Sequence, residues 1–269
     1  TQSLSSAASD VYKRQGYKAI SYGGYRTLTR EDQPSIAQIK EDLKILSALG
    51  VKVIRTYNLQ LDQAPNILKA IRALKSEEVG FEMYVMLGLW IECENARLSP
   101  NHGAEDTAVN SAEIERAITY ANQYPDIVKI IAVGNEAMVH WQANYFVLPS
   151  VILKWVNHLQ KLKWEDKLPS ELWITSSDNF ASWGGGDAAY HNEDLTALIK
   201  AVDYISLHTY PFHDTHYSGS FWVDSQKNTA HLETKARVEL AVQSAVDYAV
   251  SQYQSVENYV EGLGIEKPI

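Results

Sequence analysis

The chain has 269 residues, 45% of them apolar, with a formal net charge of −9 and an isoelectric point near 5.4. This length allows one large α/β domain or two smaller ones. The acidic balance argues against nucleic acid or an anionic membrane as the main partner and fits a neutral or cationic ligand. The 16 Tyr and 7 Trp, against 5 Phe, suit sugar-binding surfaces, because these rings combine an apolar face with a polar edge.

Other simple features narrow the class further. The single cysteine, Cys93, excludes an intrachain disulfide and a cysteine-based metal site. No stretch is long and apolar enough to span a bilayer. Residues 1–15 lack both the apolar core of a signal peptide and any strand or helix period, so we expect a non-native or disordered lead-in. Residues 16–269 are assigned to a single domain, expected to be a monomer without a cofactor or metal.

Apolar strands and amphipathic helices alternate along this domain. Strands are predicted at 17–25, 51–58, 81–91, 128–136, 172–178 and 202–210. Helices are predicted at 34–50, 64–80, 111–124, 149–162, 192–200 and 232–260. Asn110 and Glu113 form a capping-box-like start to the third helix, after a polar loop. Strands apolar enough to be buried on both faces indicate a parallel sheet with helical crossovers.

Two parallel architectures fit this alternation, the doubly wound sheet and the (β/α)8 TIM barrel. No glycine-rich nucleotide-binding loop follows the first strand, which weakens the doubly wound alternative. Polar and aromatic residues instead follow nearly every strand. In a barrel these ends meet on one face, where active sites lie, so the barrel is favoured. The strand-end candidates are Tyr25, Arg55, Tyr57, Trp90, Glu92, Asn135, Glu136, Asp178, His208 and Tyr210.

Glu136 is the strongest candidate for chemistry. It follows the apolar run "VKIIAVGN" of residues 128–135, and an unpaired carboxylate is expensive to bury there. A structural ion pair with Arg55 would account for it, but gives no reason for the neighbouring Asn135. An amide that binds a ligand hydroxyl beside an acid that transfers a proton explains both residues.

Four segments resemble glycoside hydrolase family 17, the β-1,3-glucanase-like enzymes: "KAISYGGYR", "VIRTYN", "IIAVGNEAMVHW" and "VDYISLHTYPF". The resemblance covers about residues 17–269 and is nearest to the bacterial and fungal exo-glucanase or transglycosylase branch. It implies a (β/α)8 barrel that acts on a β-glucan such as laminarin by a retaining, two-carboxylate mechanism. It also implies a location outside the cytoplasm, whether secreted, periplasmic or at the cell surface, because polymeric glucan lies there.

The resemblance also assigns roles to residues. Glu136 becomes the general acid/base, with its pKa expected to be raised, and Asn135 contacts the sugar 2-hydroxyl. Arg55 would orient a second carboxylate. The remaining substrate-binding candidates are site walls and weaker subsite residues, namely Tyr25, Tyr57, His208, Tyr210, Trp90, Glu92, Asp178 and Trp183.

The second carboxylate is the missing half of this mechanism. The family's nucleophile is a glutamate at the end of a seventh strand, whereas residues 262–269 read "GLGIEKPI", where that strand is expected to begin. We therefore expect about six βα units, the start of a seventh strand, no nucleophile in this chain, and an inactive fragment. Glu266 lies upstream of the expected position, and neither Glu92 nor Asp178 has the nucleophile's motif context.

Alternatives remain open at this stage. The histidines of "HTYPFHDTHY", with Asp214, suggest a zinc hydrolase, although His213 and His216 fall in a predicted loop, which makes zinc the weaker interpretation. A non-catalytic glucan-binding barrel and a transglycosylase also fit. The length of the 93–109 segment mildly favours exo over endo attack, because it could close one end of a cleft.

Overall fold

A computed structural model describes residues 17–216 and 221–269, without the side chains of residues 224 and 225. The predicted lead-in, residues 1–15, lies outside the described residues. A parallel sheet contains β1 (Lys18–Ser21), β2 (Val51–Arg55), β3 (Tyr84–Leu89), β6 (Val128–Asn135), β7 (Trp173–Asn179) and β8 (Ser206–His208). A separate antiparallel pair is formed by β4 (Cys93–Glu94) and β5 (Asn101–Glu105).

Helices connect the parallel strands. They are α1 (Ile36–Ala48), α2 (Gln63–Glu77), α3 (Thr107–Gln123), α4 (Pro149–Trp164), α5 (Glu193–Ala201), α6 (Pro211–His216), α7 (Phe221–Thr229) and α8 (Thr234–Gly262). A π-helical turn (Ala181–Gly185) and a 3-10 turn (Ala188–Tyr190) follow β7. The core lies between sheet and helices, where apolar strand residues such as Leu87 and Ile131 meet helix residues such as Ile71.

The strand order decides between the two architectures. The six parallel strands lie in the order β1-β2-β3-β6-β7-β8, so each sits beside the one that precedes it in the strand–helix repeat. A doubly wound sheet reverses direction at a switch point, whereas a barrel keeps winding one way. The prediction of an incomplete (β/α)8 barrel is confirmed. The carbonyl of Pro268 accepts a hydrogen bond of 2.8 Å from the backbone of Ile205, so this segment lies beside β8, where the seventh strand is predicted.

The predicted start of the third helix is wrong. The helix begins at Thr107, and Asp106 caps it by accepting a 3.0 Å hydrogen bond from the Val109 backbone. Asn110 and Glu113 are buried within it. Asn110 exchanges two 3.0 Å hydrogen bonds with the backbone of Glu92, and this pairing replaces the predicted cap.

Glu113 has the same kind of structural role at the ends of two strands. Its Oε1 accepts hydrogen bonds from the backbone of Leu59 at 2.6 Å and of Trp90 at 3.1 Å, while Arg116 pairs with its Oε2 at 2.6 Å. The carboxylate therefore fixes the loops after β2 and β3 against α3. These loops carry several of the predicted site residues.

The first and last parallel strands are less than half as long as predicted. The first ends at Ser21 and the sixth parallel strand covers only Ser206–His208. In both, the polar and aromatic residues near the end leave the sheet, and the chain after β8 continues into α6. The outer residues of these predicted strands therefore form the mouth of the sheet.

Candidate active site

A sharp bend at the end of β6 presents Glu136. The register between β6 and β7 shifts between Ala132 and Asn135, which is a bulge of the kind common beside active sites. Gly134 has a φ of 91°, and a Cβ there would lie 2.9 Å from the Cβ of Ala137. Glu136 itself has a φ of 48°, a strained conformation for a residue other than glycine. Its backbone N–H donates to the carbonyl of Ser177 at 2.9 Å, which holds the bend.

Glu136 is paired with a histidine from the last parallel strand. Oε1 of Glu136 lies 2.9 Å from Nδ1 of His208, and the two side chains are 23% and 9% exposed. Nε2 of His208 lies 2.7 Å from Oγ of Ser177. The Tyr210 hydroxyl lies 3.4 Å from Nδ1 of the same imidazole. The Glu136 carboxylate is therefore partly exposed at the mouth, whereas the His208 imidazole is nearly buried and held by Ser177 on β7.

The pKa of Glu136 is lowered from 4.5, contrary to the sequence-based expectation. Burial raises it, but the hydrogen bond and charge of His208 outweigh this effect, with smaller contributions from a Tyr210 hydrogen bond and the Arg55 charge. The expectation of a raised pKa assumed partial burial and a second carboxylate nearby, and only the burial is present among the leading influences. The groups that lower the pKa of Glu136 are instead hydrogen-bond donors and cations, which together outweigh burial.

Arg55, at the end of β2, contacts residues from three strand ends at the mouth. One guanidinium nitrogen donates to the amide oxygen of Asn135 and another donates to Oγ of Ser21 at 3.2 Å. The guanidinium carbon of Arg55, Cζ, lies 5.2 Å from the centre of the Tyr57 ring. Burial lowers the pKa of Arg55. Within the part of the chain that the structure describes, Arg55 forms no ion pair with a carboxylate, and its buried Nε has no hydrogen-bond partner.

Trp90 and Glu92 lie in an adjoining cavity of about 590 Å³. The Trp90 indole donates to Oε2 of Glu92 at 2.8 Å, and Arg97 donates to the same oxygen at 3.0 Å. The Trp90 ring packs 4.9 Å from that of Tyr145. Burial raises the pKa of Tyr145, and the charge of Glu136 raises it further, so this tyrosine links the cavity to the acid. The cavity lining includes Arg30, Asn58, Gln60, Trp90, Glu92, Arg97 and Arg116.

Tyr145 and Arg97 were not predicted as site residues from the sequence. Both lie in segments predicted as loops, and no residue spacing links them to Glu136. The exposed Trp141, five residues after Glu136, lies in the same 137–148 segment as Tyr145. The only sequence signal was the richness in aromatic residues after the Asn–Glu pair.

Asp178 and Trp183 are fully buried rather than exposed in the mouth, so the structure does not support their prediction as sugar contacts. The oxygens of Asp178 accept from the backbone of Met138 at 2.9 Å and of Asn179 at 2.8 Å, which ties β7 to the segment after Glu136. Burial raises the pKa of Asp178 to about 7. The Trp183 indole donates to the Ser206 carbonyl at 3.3 Å.

Tyr25 lies half-buried in the loop after β1, beside Gly23. The structure does bring together Glu136, Asn135, Arg55, Tyr57, His208 and Tyr210. Their substrate-binding roles, like that of Tyr25, remain predictions.

The histidine-rich segment has other contacts. His208 binds Glu136 and Ser177, Oδ1 of Asp214 lies 3.4 Å from Nδ1 of His213, and Oδ2 of Asp214 accepts a hydrogen bond of 2.7 Å from Gln252. Across residues 17–216 and 221–269, no group of three or more His, Cys, Asp or Glu side chains is arranged to hold a metal ion. No helix in the same ranges is long and apolar enough to cross a membrane.

The fold and mouth define a (β/α)-barrel protein with an amide–acid pair at the end of a central strand. Residues 19–261 match the family model of the BtgE/BtgC glycoside hydrolase domain. The chain belongs to this glycoside hydrolase family, which confirms the relationship predicted from the four motifs.

The solved structures that resemble the chain include the following two. An endo-laminarinase from Formosa Hel1_33_131 shares 57% identity, with a TM-score of 0.90, over 94% of this chain and 64% of its own. A β-1,3-glucanase and allergen of Cryptomeria japonica pollen shares 14% identity, with a TM-score of 0.57, over 94% of this chain and 73% of its own. The second likeness shows the fold alone. The present chain thus spans about two thirds of the laminarinase, and no curated protein matches it.

Proposed function

We propose that this protein acts on β-1,3-glucan as a glycoside hydrolase, with Glu136 as its general acid/base. The 2.9 Å contact between Glu136 and His208, at the mouth of a glycoside hydrolase barrel, carries the proposal. The 57% identity to an endo-laminarinase supports β-1,3-glucan as the substrate.

Glu136 would protonate the oxygen of the bond that breaks. Breaking a glycosidic bond needs a proton on the leaving oxygen, and hydrogen bonds to the sugar 2-hydroxyl strengthen as positive charge develops on the ring. Asn135 lies next to this acid with its amide oxygen held by Arg55. With its oxygen held by Arg55, the Asn135 amide would use its nitrogen to donate to a sugar hydroxyl, so the pair would supply a proton donor and a 2-hydroxyl contact.

A retaining mechanism needs a second carboxylate about 5–5.5 Å from the first. Asp178 is unsuited to this role because it is fully buried and bound to two backbone N–H groups. The half-buried Arg55, without a carboxylate among the described residues, has unused donor capacity beside Glu136. We propose that Arg55 orients the nucleophilic carboxylate and that none of the described acids is that nucleophile.

The cavity beside Trp90 would bind further sugar units of the glucan. It combines an indole with carboxylate, amide and guanidinium groups that can bind hydroxyls. Endo attack fits this site better than the exo action favoured by the sequence. The 93–109 segment was expected to close one end of the cleft. In the structure it instead forms the β4–β5 hairpin and the start of α3. Because polymeric glucan is the proposed substrate, we also propose that the protein works outside the cytoplasm.

Calorimetric titration of the protein with laminaripentaose and cellopentaose tests the substrate class. We expect laminaripentaose to bind at least tenfold more tightly, because linkage determines how successive rings reach the cavity. Glu136→Gln should retain this binding, since the amide preserves the shape of the carboxylate. Equal affinity for the two oligosaccharides, or binding to neither, would contradict the proposal.

A further inference from the structure

Two serine hydroxyls extend the Glu136–His208 contact across neighbouring strands. Ser177 on β7 and Ser206 on β8 are register partners, and their hydroxyl oxygens lie 3.0 Å apart. Oγ of Ser177 lies 2.7 Å from Nε2 of His208, and Nδ1 of His208 lies 2.9 Å from Glu136. The hydroxyl pair therefore acts on the proposed acid through one imidazole.

A hydroxyl is suited to this position because it can donate or accept, whereas an imidazole nitrogen changes role with its proton. We infer that the Ser177 and Ser206 hydroxyls hold the His208 imidazole so that its Nδ1 serves Glu136 in both protonation states of the Glu136–His208 pair. The inference rests on the proposed role of Glu136. Ser177 and Ser206 are positioning residues, because neither touches the reacting atoms.

In the ionised pair, the imidazole is neutral and carries its proton on Nδ1, which donates to the Glu136 carboxylate. Nε2 then accepts from the Ser177 hydroxyl, and the Ser177 oxygen accepts from the Ser206 hydroxyl. Each of these three hydrogen bonds is donated in the direction of Glu136. The Nδ1–H donor stabilises the carboxylate, in agreement with the His208 hydrogen bond that lowers the pKa of Glu136.

Adding one proton to the Glu136–His208 pair reverses the direction of the hydrogen bonds made by the two serine hydroxyls. With the proton on Nε2, the imidazole donates to Ser177, and Ser177 turns to donate to Ser206. The Nδ1 proton can then cross the 2.9 Å contact to Glu136, which leaves a neutral imidazole and a neutral carboxylic acid. That acid is the form that gives its proton to a glycosidic oxygen. The pair then holds one proton, on Nε2, and this proton must return to Nδ1 to restore the ionised arrangement.

Several other charged or titratable groups interact with Glu136 or with the serine pair, and their influence can be separated from that of Ser177. Arg55 and Tyr210 favour its ionised form. Its charge in turn raises the pKa values of Tyr145 and Asp178. At the far end of the line, the Tyr204 hydroxyl interacts with Ser206. None of these groups is altered by a change at Ser177.

The test follows the Glu136 carboxyl carbon and both His208 nitrogens by NMR during a pH titration without glucan. In Ser177→Ala we expect the Glu136 midpoint to rise by up to about one pH unit, a tenfold gain in proton affinity. Near neutral pH we expect both imidazole tautomers to appear where the wild type shows one, with its proton on Nδ1. Ser206→Ala should produce a smaller shift in the same direction, and Ser177→Thr, which keeps the hydroxyl, should retain the wild-type midpoint.

Ser176→Ala is the matched control. It removes a buried hydroxyl from the same strand, and this hydroxyl has no hydrogen-bond partner among the described residues. The control should leave the midpoint and the tautomer unchanged. An unchanged midpoint and a single tautomer in both Ser177→Ala and Ser206→Ala would overturn the inference, as would an equal shift in Ser176→Ala. Because no glucan is present, failure of the proposed substrate would leave this result readable.

Discussion

Nδ1 of His208 and Oε1 of Glu136 lie 2.9 Å apart although the residues are 72 positions apart in the chain. The contact joins the end of β8 to the bend after β6, across the intervening β7. It makes the proton affinity of Glu136 depend on a residue from a different motif, "VDYISLHTYPF", on another strand.

The first prediction concerns the acid side of the stability curve. Because the folded pKa of Glu136 lies below 4.5, its ionised form stabilises the fold above the unfolded pKa, and this contribution is lost as pH falls through the folded value. His208→Ala should raise the Glu136 midpoint and reduce this contribution. Carbon NMR and urea unfolding between pH 3 and 7 measure both effects. His231→Ala, at an exposed histidine, should change neither, and a lower Glu136 midpoint in His208→Ala would contradict the assignment.

Asp178 gives the opposite pH dependence. Its folded pKa of about 7 exceeds the ordinary 3.8, so folding favours the neutral acid, and stability falls as pH rises from about 4 to 7. Asp178→Asn should be less stable at pH 5, by about 1–3 kcal/mol, because an amide cannot accept from both backbone N–H groups. The difference should shrink at pH 8. Urea unfolding at the two pH values measures this, and a difference that widens with pH would be the contrary result.

The bend before Glu136 should depend on Gly134. An alanine there must adopt a φ near 91° and also place its Cβ 2.9 Å from Ala137 and 3.2 Å from Ile152. Gly80 has a φ of 85° with nothing within 4 Å of its added Cβ, so Gly80→Ala isolates the backbone cost of about 1–2 kcal/mol. Gly134→Ala should cost about 1–3 kcal/mol more, through overpacking. Equal unfolding free energies for the two variants would show that the close approach is unimportant.

The sequence was sufficient to predict the parallel barrel and the position of Glu136. Strong apolar runs identify strands, and an acid directly after such a run identifies a strand end. Asn110 shows the limit of this reasoning. Its type and spacing fit a helix cap, but the Glu92 backbone, 18 residues away in the chain, offers it better partners within the fold.

The direction of the Glu136 pKa could not be predicted for a related reason. It depends on His208 and Tyr210, whose approach is determined by the packing of β8 against β7 and by a strand end shorter than predicted. The Ser177–Ser206 pair is equally hidden, because serines within "TSSD" and "YISLH" carry no signal until the register of the two strands is known.

The cavity predicts a dependence on substrate length. Trp90→Ala should weaken the binding of laminaripentaose about tenfold and affect laminaribiose less, because the longer chain extends further from Glu136 into the cavity. Trp164→Ala is the matched control. Trp164 is 85% exposed and ends α4, at the opposite end of the barrel strands from the mouth. Calorimetry measures both affinities, and equal losses for the two sugars would argue against a subsite at Trp90.

The most direct test of the central claim is the leaving-group dependence of Glu136→Gln. Azide is added in both assays as an external nucleophile, because we propose that none of the described acids is the nucleophile. Cleavage of laminaritriose, whose leaving group is poor, needs a proton, so the variant should lose about 10²–10⁴-fold in rate. Cleavage of 2,4-dinitrophenyl β-laminaribioside needs none and should be nearly unchanged. Equal losses on the two substrates, or no loss on laminaritriose, would contradict the role of Glu136 as the proton donor.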